Sequence, residues 1–155
     1  MANTTLDKTT SNNDETKDLN IEHIRQLTNK KHADNKKYFE EAADEAFEYI
    51  INDSEDKIYE AASTGRPLTY IYRWKYLKDP ADKTFCFKNV RIMDLLRKTD
   101  LLERLRKNFN PDSEQNGYKV GWKKFKNTEP TEYGIFVSWF PPREPTDEDA
   151  VNNDD

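Results

Sequence analysis

Two short stretches gather residue types that could do chemistry. Arg73-Trp74-Lys75-Tyr76-Leu77-Lys78 and Gly121-Trp122-Lys123-Lys124-Phe125-Lys126 each interleave cations with aromatic rings. Single-stranded nucleic acid is held in this way, with bases stacked on rings while lysine and arginine follow the phosphates. Together with Lys119, these stretches supply a candidate polyanion-binding set: Arg73, Lys75, Lys78, Lys119, Lys123, Lys124 and Lys126. A plainer reading competes. Both stretches look like strands, and alternation sends successive side chains to opposite faces. Trp74 and Trp122 would then enter a core while their lysine neighbours meet water, with no ligand required.

Other reactive side chains read as structural. His23 and His32 lie nine residues apart with no cysteine beside them, a spacing and a ligand number that do not suit zinc. Cys86 sits in Phe85-Cys86-Phe87 and reads as a small buried thiol of a strand, with no histidine base cued for it. Ser54-Glu55-Asp56-Lys57 matches the bare Ser-x-x-Lys pattern of some acyl enzymes, yet it coincides with an expected helix start that explains the serine. Glu40, Glu41, Asp44, Glu45 and Glu48 form an acidic ridge. Acid–base work would require burial and convergence with other groups, so the ridge reads as a solvated helix face. As a lesser alternative it would dock a basic partner or the chain's own basic segment. The glycines are scattered and make no phosphate-cradling loop. No catalytic, cofactor or metal residue is assigned, and the chain is read as not an enzyme.

Charge separates along the sequence. Residues 1–65 carry 8 Lys/Arg against 15 Asp/Glu, residues 66–126 carry 16 against 7, and residues 127–155 carry 1 against 8. The nets are −7, +9 and −7, a basic middle between acidic flanks. Such asymmetry bears on partners and association rather than on fold. The acidic residues from Glu144 to Asp155 would compete with a polyanion for the basic face. Arg91, Arg97, Lys98, Arg104, Arg106 and Lys107 read as the solvated side of an amphipathic helix that could extend this face. No apolar run is long enough to cross a bilayer and no signal peptide follows Met1. With a single cysteine, a reducing intracellular setting is expected, cytoplasmic or nuclear in a host cell, with a virion as a further option.

The elements that must position these residues follow from periodicity. Residues 1–18 are almost free of apolar side chains and are expected to be a disordered tail. Residues 19–65 should be a helical segment of three helices: a short one capped by Asn20, a second over 34–51, and a third restarted at Asp53 or Ser54. Gly65 and Pro67 are the stop. Residues 66–142 form the expected core. A strand over 68–77 places Leu68, Tyr70, Tyr72, Trp74 and Tyr76 on one face, and a short strand over 84–87 follows. A helix from Asn89 to Phe109, broken near Thr99-Asp100, precedes a hairpin of 118–122 with 133–139. Residues 143–155 are expected to be a disordered acidic tail. The fold class is α+β: a small, mainly antiparallel sheet of three or four strands with helices packed on one face, preceded by N-terminal helices.

The C-terminal half, with Leu-x-x-Leu-Arg-Lys-Asn-Phe ending a helix, Tyr118-Lys119-Val120-Gly121-Trp122 and Tyr133-Gly134-Ile135-Phe136-Val137-Ser138-Trp139, resembles small uncharacterised proteins of large eukaryotic DNA viruses. The resemblance covers about residues 66–140 and implies a virion-associated or host-interaction protein; it carries over no functional residues. The leading expectation is a non-enzymatic protein-interaction or virion-associated module with a basic face between acidic termini. Two alternatives stand beside it, a nucleic-acid-binding protein and a self-associating assembly protein. No membrane span, cofactor or small-molecule substrate is implied.

Overall fold

The computed structural model describes residues 20–111 and 117–152. Those expected to form the disordered tail, 1–18, lie outside the described residues. The chain divides into two compact units, Met1–Tyr38 and Phe39–Asp155. Both contain part of α1 (Ile21–Ser63), a single helix where three were expected. No Gly or Pro interrupts residues 21–63, so nothing compels a break. Asn20 caps the helix as expected, accepting from the N–H groups of Glu22 (2.9 Å) and His23 (3.2 Å). Ser54 does not restart it; its hydroxyl donates to the Ile51 carbonyl within the helix. Gly65, at φ +82°, ends α1, with the Arg66 N–H reaching the Ala61 carbonyl. Within the first unit, Ile21, Ile24 and Leu27 are exposed.

The second unit is α+β. β1 (Leu68–Lys75), β4 (Lys119–Lys124) and β5 (Glu132–Ser138) form an antiparallel sheet in the order β1-β5-β4, with the last strand of the sequence in the centre. A separate two-stranded sheet pairs β2 (Cys86–Phe87) with β3 (Val90–Arg91). Its turn holds Lys88 at φ 49° and Asn89 at φ 64°. Two successive left-handed residues make the tight turn that hairpins favour, and asparagine tolerates that conformation. Asn89 is therefore a turn residue and not the expected helix cap. α2 (Ile92–Lys98) and α3 (Leu101–Phe109) follow, broken at Thr99-Asp100. The Thr99 hydroxyl caps backward onto the Leu95 carbonyl and accepts from the Leu101 N–H, which accounts for the break. α4 (Asp147–Asn152) closes the described chain.

The expected alternation of β1 fails at one residue. Register runs Tyr70↔Phe136 and then Tyr72↔Ile135, leaving Ile71 as a bulge. One inserted residue exchanges the faces beyond it. Leu68 and Tyr70 therefore join Phe125 and Phe136 on one face, while Tyr72 and Trp74 lie on the other with Ile135 and Val137. Lys57, the lysine of the Ser-x-x-Lys pattern, fastens the bulge by donating to the Ile71 carbonyl at 3.0 Å.

The main core fills the second face. Ala42, Ala43, Ala46 and Ile50 of α1 meet Ile71, Trp74, Leu95, Leu101, Leu105, Ile135 and Val137, all essentially buried. The acidic ridge partly answers the chain's own basic segment, with Asp44 paired to Arg104 at 2.6 Å and Glu41 to Lys88 at 3.3 Å.

Candidate polyanion-binding face

Because of the bulge, residues scattered in sequence share one sheet face. Arg73 is in register with Gly134 and Lys123, Lys75 with Glu132, and Lys119 with Ser138. Directly opposed residues in an antiparallel sheet point the same way, so Arg73, Lys75, Lys119 and Lys123 lie on the Tyr70–Phe136 face. Lys124 is opposite Tyr133 and belongs to the helix-covered face. Lys78 is exposed beyond the end of β1, and Lys126 is exposed in the β4–β5 connection. The candidate set is thus only partly assembled by the fold.

Of the two tryptophans expected in the core, Trp74 is there at 3% exposed, whereas Trp122 is 36% exposed on the edge strand. Trp74 is stacked between Tyr72 and Tyr133, and Tyr133 in turn meets Trp122.

The floor of the basic face is a small aromatic cluster built over a glycine. A Cβ on Gly134 would lie 2.6 Å from Tyr70 Cδ1 and 3.1 Å from Phe125 Cζ. Only glycine lets these two rings meet edge to face above β5, at 4.9 Å between centroids. The Arg73 guanidinium lies 4.6 Å over the Phe125 ring and binds Glu132 at 2.9 Å. Glu132 already satisfies this cation.

The face is not open. Residues 143–149, expected to be disordered, cross it in an ordered arrangement. Ser138, fully buried, accepts from the Arg143 N–H and donates to the Arg143 carbonyl, both at 2.8 Å. Pro145 is buried, and its carbonyl accepts from Lys123 Nζ at 2.6 Å. The Arg143 guanidinium makes two bonds to Asp149, at 2.9 and 3.2 Å, folding the segment on itself. Asp149 also accepts from the Thr146 N–H and hydroxyl. Lys119 pairs with Glu144 at 3.2 Å, and Asp147 lies 4.0 Å from Lys123 and 3.7 Å from Lys126.

Two ionisable groups feel the packing. Burial, reinforced by Asp149, pushes the Tyr70 hydroxyl well above its ordinary range, and that hydroxyl has no hydrogen-bond partner. Burial also pushes the Asp149 carboxyl up, but the bonds from Arg143 and Thr146 outweigh it and hold the group below the usual carboxylate range.

Sequence reasoning missed Ser138, Arg143, Pro145 and Asp149. A signal existed: Thr146-Asp147-Glu148-Asp149 has the Ser/Thr-x-x-acid spacing of a helix start, which orders rather than frees a chain. Among the described residues no group of three or more His, Cys, Asp and Glu side chains could hold a metal ion, and no helix is long and apolar enough to cross a membrane. Comparison with protein-family models, with curated proteins and with solved structures finds no match to this chain.

Proposed function

We propose that this chain is a non-enzymatic interaction module whose basic sheet face takes an acidic, proline-containing peptide segment, a place held at rest by its own residues 143–149. The observation that carries the reading is the alignment of Glu144 and Asp147 with Lys119, Lys123 and Lys126. The chain's own segment serves as a pattern for the partner. Ser138 contacts both the N–H and the carbonyl of one residue, and Lys123 contacts a second carbonyl. Those are features of a peptide backbone and not of a phosphodiester. A virion or host-interaction setting, implied by the viral resemblance, belongs to the same proposal.

The test is binding in trans. A fluorescent peptide with the sequence of residues 143–152 should bind a chain ending at Pro142 and bind the full chain much more weakly. A scrambled peptide of equal charge should lose most of the affinity. Equal binding of the native and scrambled peptides would reduce the face to a non-specific basic patch, and no binding to the shortened chain would reject the reading.

A second reading is favoured by the exposure of Trp122. An open groove of about 1080 Å³ runs outside β4, where Tyr118, Trp122, Arg106, Lys107 and Lys119 offer rings and cations. Arg106 donates to the Val120 carbonyl and Asn110 bonds both backbone groups of Tyr118, so the strand edge itself is blunted against pairing. Single-stranded nucleic acid would use the side chains. Oligonucleotide binding that weakens steeply with salt, and that Trp122→Ala abolishes, would favour this reading over the first.

A further inference from the structure

We infer that the Tyr70 hydroxyl sets the specificity of the basic sheet face: an incoming segment that places a hydrogen-bond acceptor against it binds better than the chain's own residues 143–149. The inference rests on the peptide-binding reading. It names the donor that a partner would use and that the resting segment leaves idle.

Tyr70 is 3% exposed on the tail-covered face, its ring set edge to face against Phe125 above Gly134. Its hydroxyl is buried and has no hydrogen-bond partner among the described residues. A phenol carries one O–H donor, and a buried donor left unmet costs more than a typical hydrogen bond returns. Among charged groups the hydroxyl feels Asp149 most strongly, then Arg73, Asp147 and Arg143. Three of these four belong to the C-terminal segment, which places the idle donor beneath it.

The segment has no acceptor to spare. A carboxylate offers about four lone-pair sites, and Asp149 already receives four bonds. Two come from the Arg143 guanidinium, at 2.9 and 3.2 Å, and two from the N–H and hydroxyl of Thr146. Asp147 faces Lys123 and Lys126, at 4.0 and 3.7 Å. The Arg143 and Pro145 carbonyls accept from Ser138 and Lys123. The segment is thus fastened at every point except over Tyr70.

A tethered segment occupies its own face at high effective concentration, so a partner from solution needs a contact that the segment lacks. The Tyr70 O–H supplies one. Glutamate in place of Asp147 or Asp149 keeps the charge that answers the lysines and carries its carboxylate one methylene further from the backbone. An acceptor of that kind is what the idle donor selects.

The test uses full-length protein and the peptide of residues 143–152 in three forms: native, Asp147→Glu and Asp149→Glu. Faster exchange of the protein's Arg143 amide reports displacement of the resting segment. One of the two glutamate peptides should displace it at about one-tenth of the concentration that the native peptide needs, the gain expected for one hydrogen bond to a charged acceptor. Tyr70→Phe should erase that advantage and leave the native peptide's affinity unchanged, which also shows that the variant is folded. Failure of both glutamate peptides to outdo the native one would overturn the inference, and so would an advantage that survives Tyr70→Phe. Loss of native-peptide affinity in Tyr70→Phe at an unchanged unfolding midpoint would overturn it too, since the hydroxyl would then already be in use. These results leave the peptide-binding reading standing, whereas no binding of any peptide to the chain ending at Pro142 rejects that reading and this inference with it.

Discussion

The two faces of one sheet are closed in opposite ways. The helix-covered face is packed by α1, α2 and α3 through a large core of buried apolar side chains, with Trp122 at its exposed edge. The other has only Leu68, Tyr70, Phe125 and Phe136 as its buried cluster, and its cover is a short, mostly polar run of chain with one buried proline, Pro145. Burial of apolar area contributes about 25 cal/mol per Å², whereas exposed ion pairs contribute about 0–1 kcal/mol each. The first closure is therefore the fold itself. The second, with fewer buried groups, should open at a lower cost than the first.

The largest effect should come from the helix-covered side. Ile135 is fully buried on the central strand, so Ile135→Ala should cost about 2–5 kcal/mol, including the cavity left behind. Denaturant unfolding measures it, and a loss below that of any substitution on the tail-covered side would invert the comparison. Gly134→Ala addresses the opposite side of the same strand. Its new Cβ would press on the Tyr70 and Phe125 rings, an overpacking cost of about 1–3 kcal/mol. Hydrogen exchange should show the Arg143 amide loosened in this variant and unchanged in Ile135→Ala. Equal loosening in both would mean that the two sides are not separable.

Much of this architecture was legible in the sequence. The α+β class, the antiparallel hairpin, the Asn20 cap, the Gly65 stop and the break at Thr99-Asp100 all follow from local chemistry, and the structure has them. What was not legible came from tertiary pressure. The Ile71 bulge is held by Lys57, fourteen residues away in sequence, and no local pattern announces it. That single residue decides which face Arg73 and Trp74 take, so the candidate site could be assembled only in three dimensions. The continuous α1 is a different kind of miss: Asp53 and Ser54 look like caps, but without Gly or Pro the helix runs through them. In the C-terminal segment the acidic composition points to disorder while the Thr146–Asp149 spacing points to a helix start, and Asp147–Asn152 is helical.

Titration separates the two sides again. Tyr70 lies under the C-terminal segment and Tyr72 within the helix-covered core. Burial pushes Tyr72 up to about 12, and Tyr70 is raised further in the same direction. A raised folded value means that each hydroxyl's contribution to stability is complete below about pH 10, the unfolded value, and is lost as pH climbs through the folded value. The protein should therefore weaken above about pH 10. Asp149→Asn should bring Tyr70 down by removing a neighbouring negative charge and leave Tyr72 where it is. Tyrosine ring carbon shifts followed across alkaline pH test this, and a matching change at Tyr72 would refute the local origin.

The smallest effect on stability should accompany opening of the segment, and the sign of its pH dependence is fixed by Asp149. Its folded value lies below the usual carboxylate range, so its contribution is present above about pH 3.9 and disappears as pH falls through the folded value. Acidification below about pH 4 should thus release residues 143–149 before the helix-covered core melts. Arg143→Ala should do the same at neutral pH, for about 1–2 kcal/mol of global stability, since the Arg143 side chain is 34% exposed while that of Asp149, left unpaired, is 11% exposed. The informative readout is the ratio of two effects: exchange at the Thr146 and Arg143 amides should rise strongly while the unfolding midpoint falls only modestly. If the midpoint falls in step with the exchange, the segment is an integral part of the core, and a partner could not displace it without unfolding the sheet beneath.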